Sequence, residues 1–188
     1  MILFHGSLCS NIKVFKPISH FALDDDCAIA AAAAKFFDPE NRLAKSDAWI
    51  YEFDFPLAEA EILDTPDFGT PTAQALLVGL GSIGNQSLTE KTDAYCSLLN
   101  QMRNRYIPKE QVMEQALVYA KALMADLNKK ALRYTNVVEC EGRISICILD
   151  CSSMQPGKPR KLSPQELRKG FDLLSTSRQG HLIHPNNW

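Results

Sequence analysis

The chain opens with Ile2-Leu3-Phe4-His5-Gly6-Ser7 and resumes at Pro17-Ile18-Ser19-His20-Phe21-Ala22. It then runs through Asp24-Asp25-Asp26-Cys27-Ala28 into an alanine tract that ends at Phe37. The first piece is a short apolar run stopped by Gly-Ser, the pattern of a strand feeding a turn. The second reads as another short extended piece after Pro17. The third has acids at its front, alanines inside and Lys35 near its end, which suits helix propensity and the helix macrodipole; Asp38-Pro39 ends it.

Farther along, Tyr51-Glu52-Phe53-Asp54-Phe55 alternates in period two and is rich in aromatics, so a half-buried strand is expected, closed by Pro56. Residues 61–63 suggest one more short strand. From Pro71 onward the chain changes character. Helix formers dominate 71–130, with a Gly-rich break at 79–84 and a Pro108 entry to a helix whose Val112, Leu117, Ala120, Leu123, Met124 and Leu127 recur at helical spacing. Residues 134–138 and 144–149 then read as neighbouring strands around Glu139-Cys140-Glu141-Gly142-Arg143. After a Pro- and Lys-rich segment at 156–161, Ser163-Pro164-Gln165-Glu166 opens a last helix with a capping box, and the tail from His181 to Trp188 has no periodicity. Strands at both ends of a helical middle predict an α+β fold, one domain over 1–188 with a helical insertion at about 71–130.

Composition agrees with one domain. At 188 residues, 46% apolar and 22% charged, the chain has the balance of a globular protein with a sizeable core. Its net charge of −2 offers no strong attraction to nucleic acid or to an anionic membrane. The longest apolar stretch, Cys27 to Phe37, spans only about half of the ~20 residues a membrane helix needs, and reads as a buried helix. The N-terminus lacks the basic and long apolar regions of a secretory signal, so a cytoplasmic protein is expected, or one exported by a specialised system. Six cysteines without a C-x-x-C pair read as reduced thiols.

Several clusters carry possible chemistry. His5-Gly6-Ser7 puts an imidazole, a permissive backbone and a hydroxyl at a strand end. Glu139 and Glu141 stand two apart, on one face if the segment is extended. Gly79-Leu80-Gly81-Ser82-Ile83-Gly84 is a literal G-x-G-x-x-G, the phosphate-binding turn of a Rossmann dinucleotide site. No second strand ending in an acid follows it within about 30 residues, so a loop between helices is the better expectation, with an NAD oxidoreductase as an alternative. His181 and His184 could share a helix face and bind zinc, but Pro185 follows and no cysteine or acid cluster adjoins them. A nucleophilic pairing of Cys9 with His5 or His20 has no sequence signature.

His5-Gly6-Ser7, then Asn11, then His20-Phe21-Ala22 before a small-residue helix resembles the nucleotide-binding half of the ADP-ribosyltransferase fold, in the branch of poly(ADP-ribose) polymerases and diphtheria-type toxins. The strands at 51–55 and 144–150 fall where that family continues its split sheet. The resemblance implies an NAD-dependent transferase, with His5 on a ribose hydroxyl, Gly6 offering its N–H and C=O to the nicotinamide carboxamide, and a side chain at Gly6 obstructing that approach. Ser7 belongs to the same motif. His20 stands where the family usually has a tyrosine stacked on nicotinamide, and resembles the His-His variant of the RNA 2′-phosphotransferase branch.

Cleavage of the nicotinamide–ribose bond passes through an oxocarbenium-like state, which a carboxylate near the ribose stabilises. Glu139-x-Glu141 looks like the acidic pair of transferases that modify protein side chains, which implies Glu141 as the catalytic acid and Glu139 as auxiliary. A competing match puts Ser145 in the catalytic position and would make the protein a non-catalytic NAD- or ADP-ribose-binding relative. The near-neutral charge argues against an RNA acceptor and for a protein or small-molecule one; the resemblance implies a protein acceptor, as for a bacterial effector or toxin.

Overall fold

The computed structural model describes residues 1–41, 47–66, 72–83, 86–137 and 139–187; Pro71, Gly84, Val138 and Trp188 lie outside them. The fold is α+β, as the sequence predicts. Strands β1 (Ile2–Ser7), β2 (Ser19–Ala22), β3 (Trp49–Asp54), β4 (Ile62–Asp64), β5 (Ala131–Thr135), β6 (Ile144–Ile148) and β7 (Arg160–Lys161) form one mixed sheet in the order β4-β5-β6-β2-β1-β3-β7. Only β4 and β5 run parallel; the other described pairs are antiparallel. Edge strand β7 lies in the Pro- and Lys-rich segment, where two charged residues beside Trp49 and Ile50 carry no strand signal of their own.

Among the described residues, six helices accompany the sheet: α1 (Asp25–Phe36), α2 (Ala73–Gly81), α3 (Gln86–Asn104), α4 (Lys109–Asp126), α5 (Pro164–Asp172) and the short α6 (Thr176–Gln179). Local signals start them. Asp24 caps α1 by accepting from the Cys27 N–H at 2.9 Å, and Ser163 and Glu166 form the expected capping box on α5. The Gly-rich motif falls at the expected break between two helices, with Ser82 and Ile83 between α2 and α3, but its first part is helical. Residues 75–78 are helical rather than a strand, and Gly79 and Gly81 are buried inside α2. A Cβ on Gly81 would come within 2.7 Å of the Thr92 side chain, so this glycine lets α2 and α3 pack closely. Gly84, the last of the motif, lies outside the described residues. The C-terminal segment is also packed: the Ile183 N–H donates to the Phe37 carbonyl at 2.9 Å, and the His184 ring meets Phe171 edge-on at 5.3 Å.

Strand alternation sorts the core. Leu3, Phe21, Tyr51, Phe53, Ala131, Ile146 and Ile148 point to one face and pack with Phe15, Leu57, Cys151 and Met154 from loops. On the other face two helical groups lie side by side. α1 and α5 cover Ala22 and Ile50, while α2, α3 and α4 cover Leu132 and Cys147. Residues opposite one another in a ladder share a face. The partners Phe4↔Ala22, Ala22↔Ser145, Tyr134↔Ser145 and His20↔Cys147 therefore floor the interval between the two groups.

The α1 group is held close by small residues. A Cβ on Gly6 would overlap the Ala28 carbonyl oxygen and stand 2.8 Å from the Ala32 nitrogen, both backbone atoms that cannot step aside. Gly6 is thus required by helix–strand packing, whereas the resemblance assigns its missing side chain to ligand approach. Gly6→Ala is expected to lower stability by roughly 1–3 kcal/mol or more through overpacking, without any ligand present. Denaturant unfolding checks this; an unchanged midpoint would contradict it.

Candidate functional site

Between the two helical groups lies a cleft of about 500 Å³, inside the roughly 300–1,000 Å³ range of small-molecule sites. It opens because β1 and β2 part company. β1 follows β3 from Ile2↔Asp54 to Ser7↔Trp49, but meets β2 only at Phe4↔Ala22. Beyond Phe4 the two strands diverge, and the contacts between them become side-chain contacts. His5 Nδ1 stands 3.1 Å from the His20 carbonyl; because a carbonyl can only accept, Nδ1 carries the proton and Nε2 is an acceptor.

The register also orients Gly6. The Phe55 N–H donates to the Met1 carbonyl, so Met1 exchanges backbone bonds with β3. Alternation in an antiparallel ladder then turns the backbone N–H and C=O groups of Leu3, His5 and Ser7 toward β3 and those of Phe4 and Gly6 away from it, toward the parting. The Gly6 carbonyl accepts from Lys35 Nζ at 2.7 Å. Ala28, Ala31 and Lys35 all line the cleft, as their spacing of three and four along α1 requires. Lys35 stays accessible to solvent through the mouth. The surrounding protein pulls its pKa below the usual lysine value, and Glu139 opposes that.

His5, Gly6, His20 and Glu139 therefore line one cleft, though residues 5 and 139 are far apart in the chain and the His5 ring also packs against Phe15 and Phe21. Ser7 does not line it; its hydroxyl accepts from the Cys9 N–H at 3.0 Å and shapes the turn after β1. Glu141 does not line it either. Residues 139–142 form a turn rather than an extended segment, with Gly142 at φ 79°, so the two glutamates do not share a face, and Glu141 is left in solvent. The carboxylate that reaches the cleft is Glu139. Asn136 holds it at both ends: Asn136 Nδ2 donates to Glu139 Oε2 at 2.9 Å, and Asn136 Oδ1 accepts from the Glu139 N–H at 2.9 Å. The same Nδ2 also reaches Ser145 Oγ at 3.2 Å, so Ser145 lies on the cleft beside the acid rather than in its place.

Tyr134, Asn136, Lys35 and Ile18 carry no signal in the single-residue motifs, yet all line the cleft. Period two could have marked some of them, since Leu132, Tyr134 and Asn136 alternate along one face. The Tyr134 hydroxyl lies 2.7 Å from His20 Nδ1, and the two rings meet edge-on, fixing the imidazole. Ile18 has φ 59°, a left-handed conformation that costs a β-branched residue roughly 1–3 kcal/mol. Ser19 Oγ, donating to the Lys16 carbonyl at 2.7 Å, holds this turn just before His20.

The thiols are not set up as nucleophiles here. Cys9 does not line the cleft, and Cys27, which does, is pushed up to about 12 by burial and by Cys140 beside it. Among the described residues, no three or more His, Cys, Asp or Glu side chains gather to hold a metal ion, and no helix is long and apolar enough to cross a membrane.

Neither a family model, nor a curated protein, nor a solved structure is similar to the chain. The functional reading accordingly rests on the cleft.

Burial, and secondarily the charge of Lys35, lowers His5 from 6.5 to about 4, so it is neutral at physiological pH. The unfolded chain binds this proton near 6.5 and the folded one only near 4, so the histidine's contribution to stability is complete above 6.5 and is lost as pH falls toward 4. The loss is at most about 3 kcal/mol. His5→Gln is expected to flatten this part of the profile, measured by urea unfolding across the interval; a parallel profile would contradict the assignment. Asn136→Ala is expected to cost about 1–3 kcal/mol, since it strands the Glu139 and Cys140 N–H groups it serves, and thermal unfolding reads that loss.

Proposed function

We propose that the protein is an NAD-dependent ADP-ribosyltransferase with a protein acceptor, and that NAD occupies the cleft where β1 and β2 diverge. The observation that carries the reading is the convergence of His5, Gly6, His20 and Glu139 on that one cleft. Two histidines from adjacent diverging strands and one carboxylate from a distant turn fit the division of labour that a dinucleotide glycosidic bond requires.

In this reading, neutral His5 accepts a ribose hydroxyl at Nε2 while its Nδ1–H stays on the His20 carbonyl. His20, steadied by Tyr134, offers its imidazole face to the pyridine ring. The C1′–N bond breaks with its electron pair going to the pyridinium nitrogen, which becomes neutral. Glu139 stabilises the positive charge that develops on the ribose. An acceptor heteroatom then bonds to C1′ and yields its proton to the Glu139 carboxylate. Glu139 takes the role that the resemblance gives to Glu141, because only Glu139 reaches the cleft. The Rossmann oxidoreductase alternative loses support, since Gly79 and Gly81 of its motif lie within α2 rather than in a turn after a strand.

A second reading, binding without turnover, draws on Ser145 in the cleft beside the acid and on Lys35 holding the Gly6 carbonyl. The two are separated by incubating the protein with nicotinamide-labelled NAD and a cell extract as acceptor. Glu139→Gln is expected to reduce nicotinamide release about hundredfold or more while retaining dinucleotide binding, and Glu141→Gln to leave it within about twofold. Saturable binding with no release by the wild type would establish the second reading. Absence of binding would overturn both.

A further inference from the structure

The cleft wall at Gly6 presents donors. A residue in a strand directs its N–H and C=O to the same side, and for Gly6 that side is the parting of β1 and β2. The carbonyl, however, accepts from Lys35 Nζ at 2.7 Å. A carboxamide binding here would need both an acceptor for its NH₂ and a donor for its oxygen. What it meets is the Gly6 N–H and an ammonium that already takes one lone pair of the Gly6 carbonyl and sets a cation beside the other. A carboxylate of the same shape asks only for donors, and it would pair its negative charge with the Lys35 ammonium held at the Gly6 carbonyl. The position of Lys35 on α1 makes this a built feature: Ala28 and Ala31, on the same helix face, are too small to shield the ammonium from an occupant of the cleft.

We propose that Lys35 is a specificity-determining residue that adapts the pyridine end of the cleft to a carboxylate, so that the preferred dinucleotide carries nicotinate in place of nicotinamide. This rests on the transferase reading above for the orientation of the ligand. On cleavage the same C1′–N bond breaks, its electron pair neutralises the pyridinium nitrogen, and nicotinate leaves. Lys35 makes no contact with the reacting carbon in this scheme and acts on binding.

The test compares the full-length protein's affinity for NAD and for nicotinic acid adenine dinucleotide by isothermal titration, with released nicotinamide or nicotinate quantified chromatographically. The wild type is expected to favour the carboxylate dinucleotide by about tenfold or more, the cost of leaving one amide donor unsatisfied. Lys35→Met is expected to abolish or reverse the preference, because it removes the cation and frees the Gly6 carbonyl; Lys35→Arg is expected to keep it. Circular dichroism verifies that both variants fold. Wild-type preference for NAD, or an unchanged ratio in Lys35→Met, overturns the proposal and leaves the transferase reading standing. Binding of neither dinucleotide overturns the transferase reading, and this proposal with it.

Discussion

Helix α1 and strand β1 touch backbone to backbone at Gly6, where a single methyl group would overlap the Ala28 carbonyl oxygen. Such an approach is possible only when one surface lacks a side chain and the other carries nothing larger than methyl groups, which the alanines of α1 supply. Much else depends on it. With α1 seated on β1, its next turn carries Lys35 back over the strand to the Gly6 carbonyl. The backbone group that β2 would have engaged, had the ladder continued beyond Phe4↔Ala22, is thereby satisfied by a side chain. The parting of the two central strands is stable because its polar groups are served: by Lys35 on one strand and by His5 on the other.

A second helical group gives the parting its depth. α2, α3 and α4 pack over β5 and β6, where Leu132 and Cys147 contribute to their core, and leave uncovered the strip of sheet between themselves and α1. The polar residues of that strip, Ser145 and Asn136, are buried and bonded to one another, and this network delivers Glu139 to the cleft. Buried polar groups that satisfy one another specify a geometry more sharply than apolar packing does. The cleft is therefore preformed by the same contacts that hold the two halves of the sheet.

Much of the architecture was legible in local pattern. The start and end of α1, the capping box of α5, the alternation of β3, the strand β6 and the helical middle all follow from propensity, caps and period, which act within a few residues, whereas β5 runs over Ala131–Thr135, three residues earlier than the expected 134–138. The candidate site was legible in part. His5, Gly6 and His20 lie on two short strands that are consecutive in the chain and neighbours in the sheet. The acid was harder to read. Choosing between Glu139 and Glu141 turns on whether the segment is extended or bent, and the bend is set by Asn136 accepting from two N–H groups while Gly142 adopts φ 79°. The G-x-G-x-x-G string misleads for a related reason. Glycine permits a phosphate loop and close helix packing alike, and only the position of Thr92 shows that Gly81 serves packing.

The sequence by itself determined the α+β class, the residues of most elements and the chemical types available to a site, because these rest on short-range preferences and on hydrophobic period. Tertiary structure alone decided that β1 and β2 diverge, that Lys35 folds back onto Gly6, that Ser7 and Glu141 stay outside the cleft and that Tyr134, Asn136 and Ile18 enter it. Those outcomes depend on distances between atoms far apart in the chain. They emerge only when helices of given bulk are laid on strands of given register.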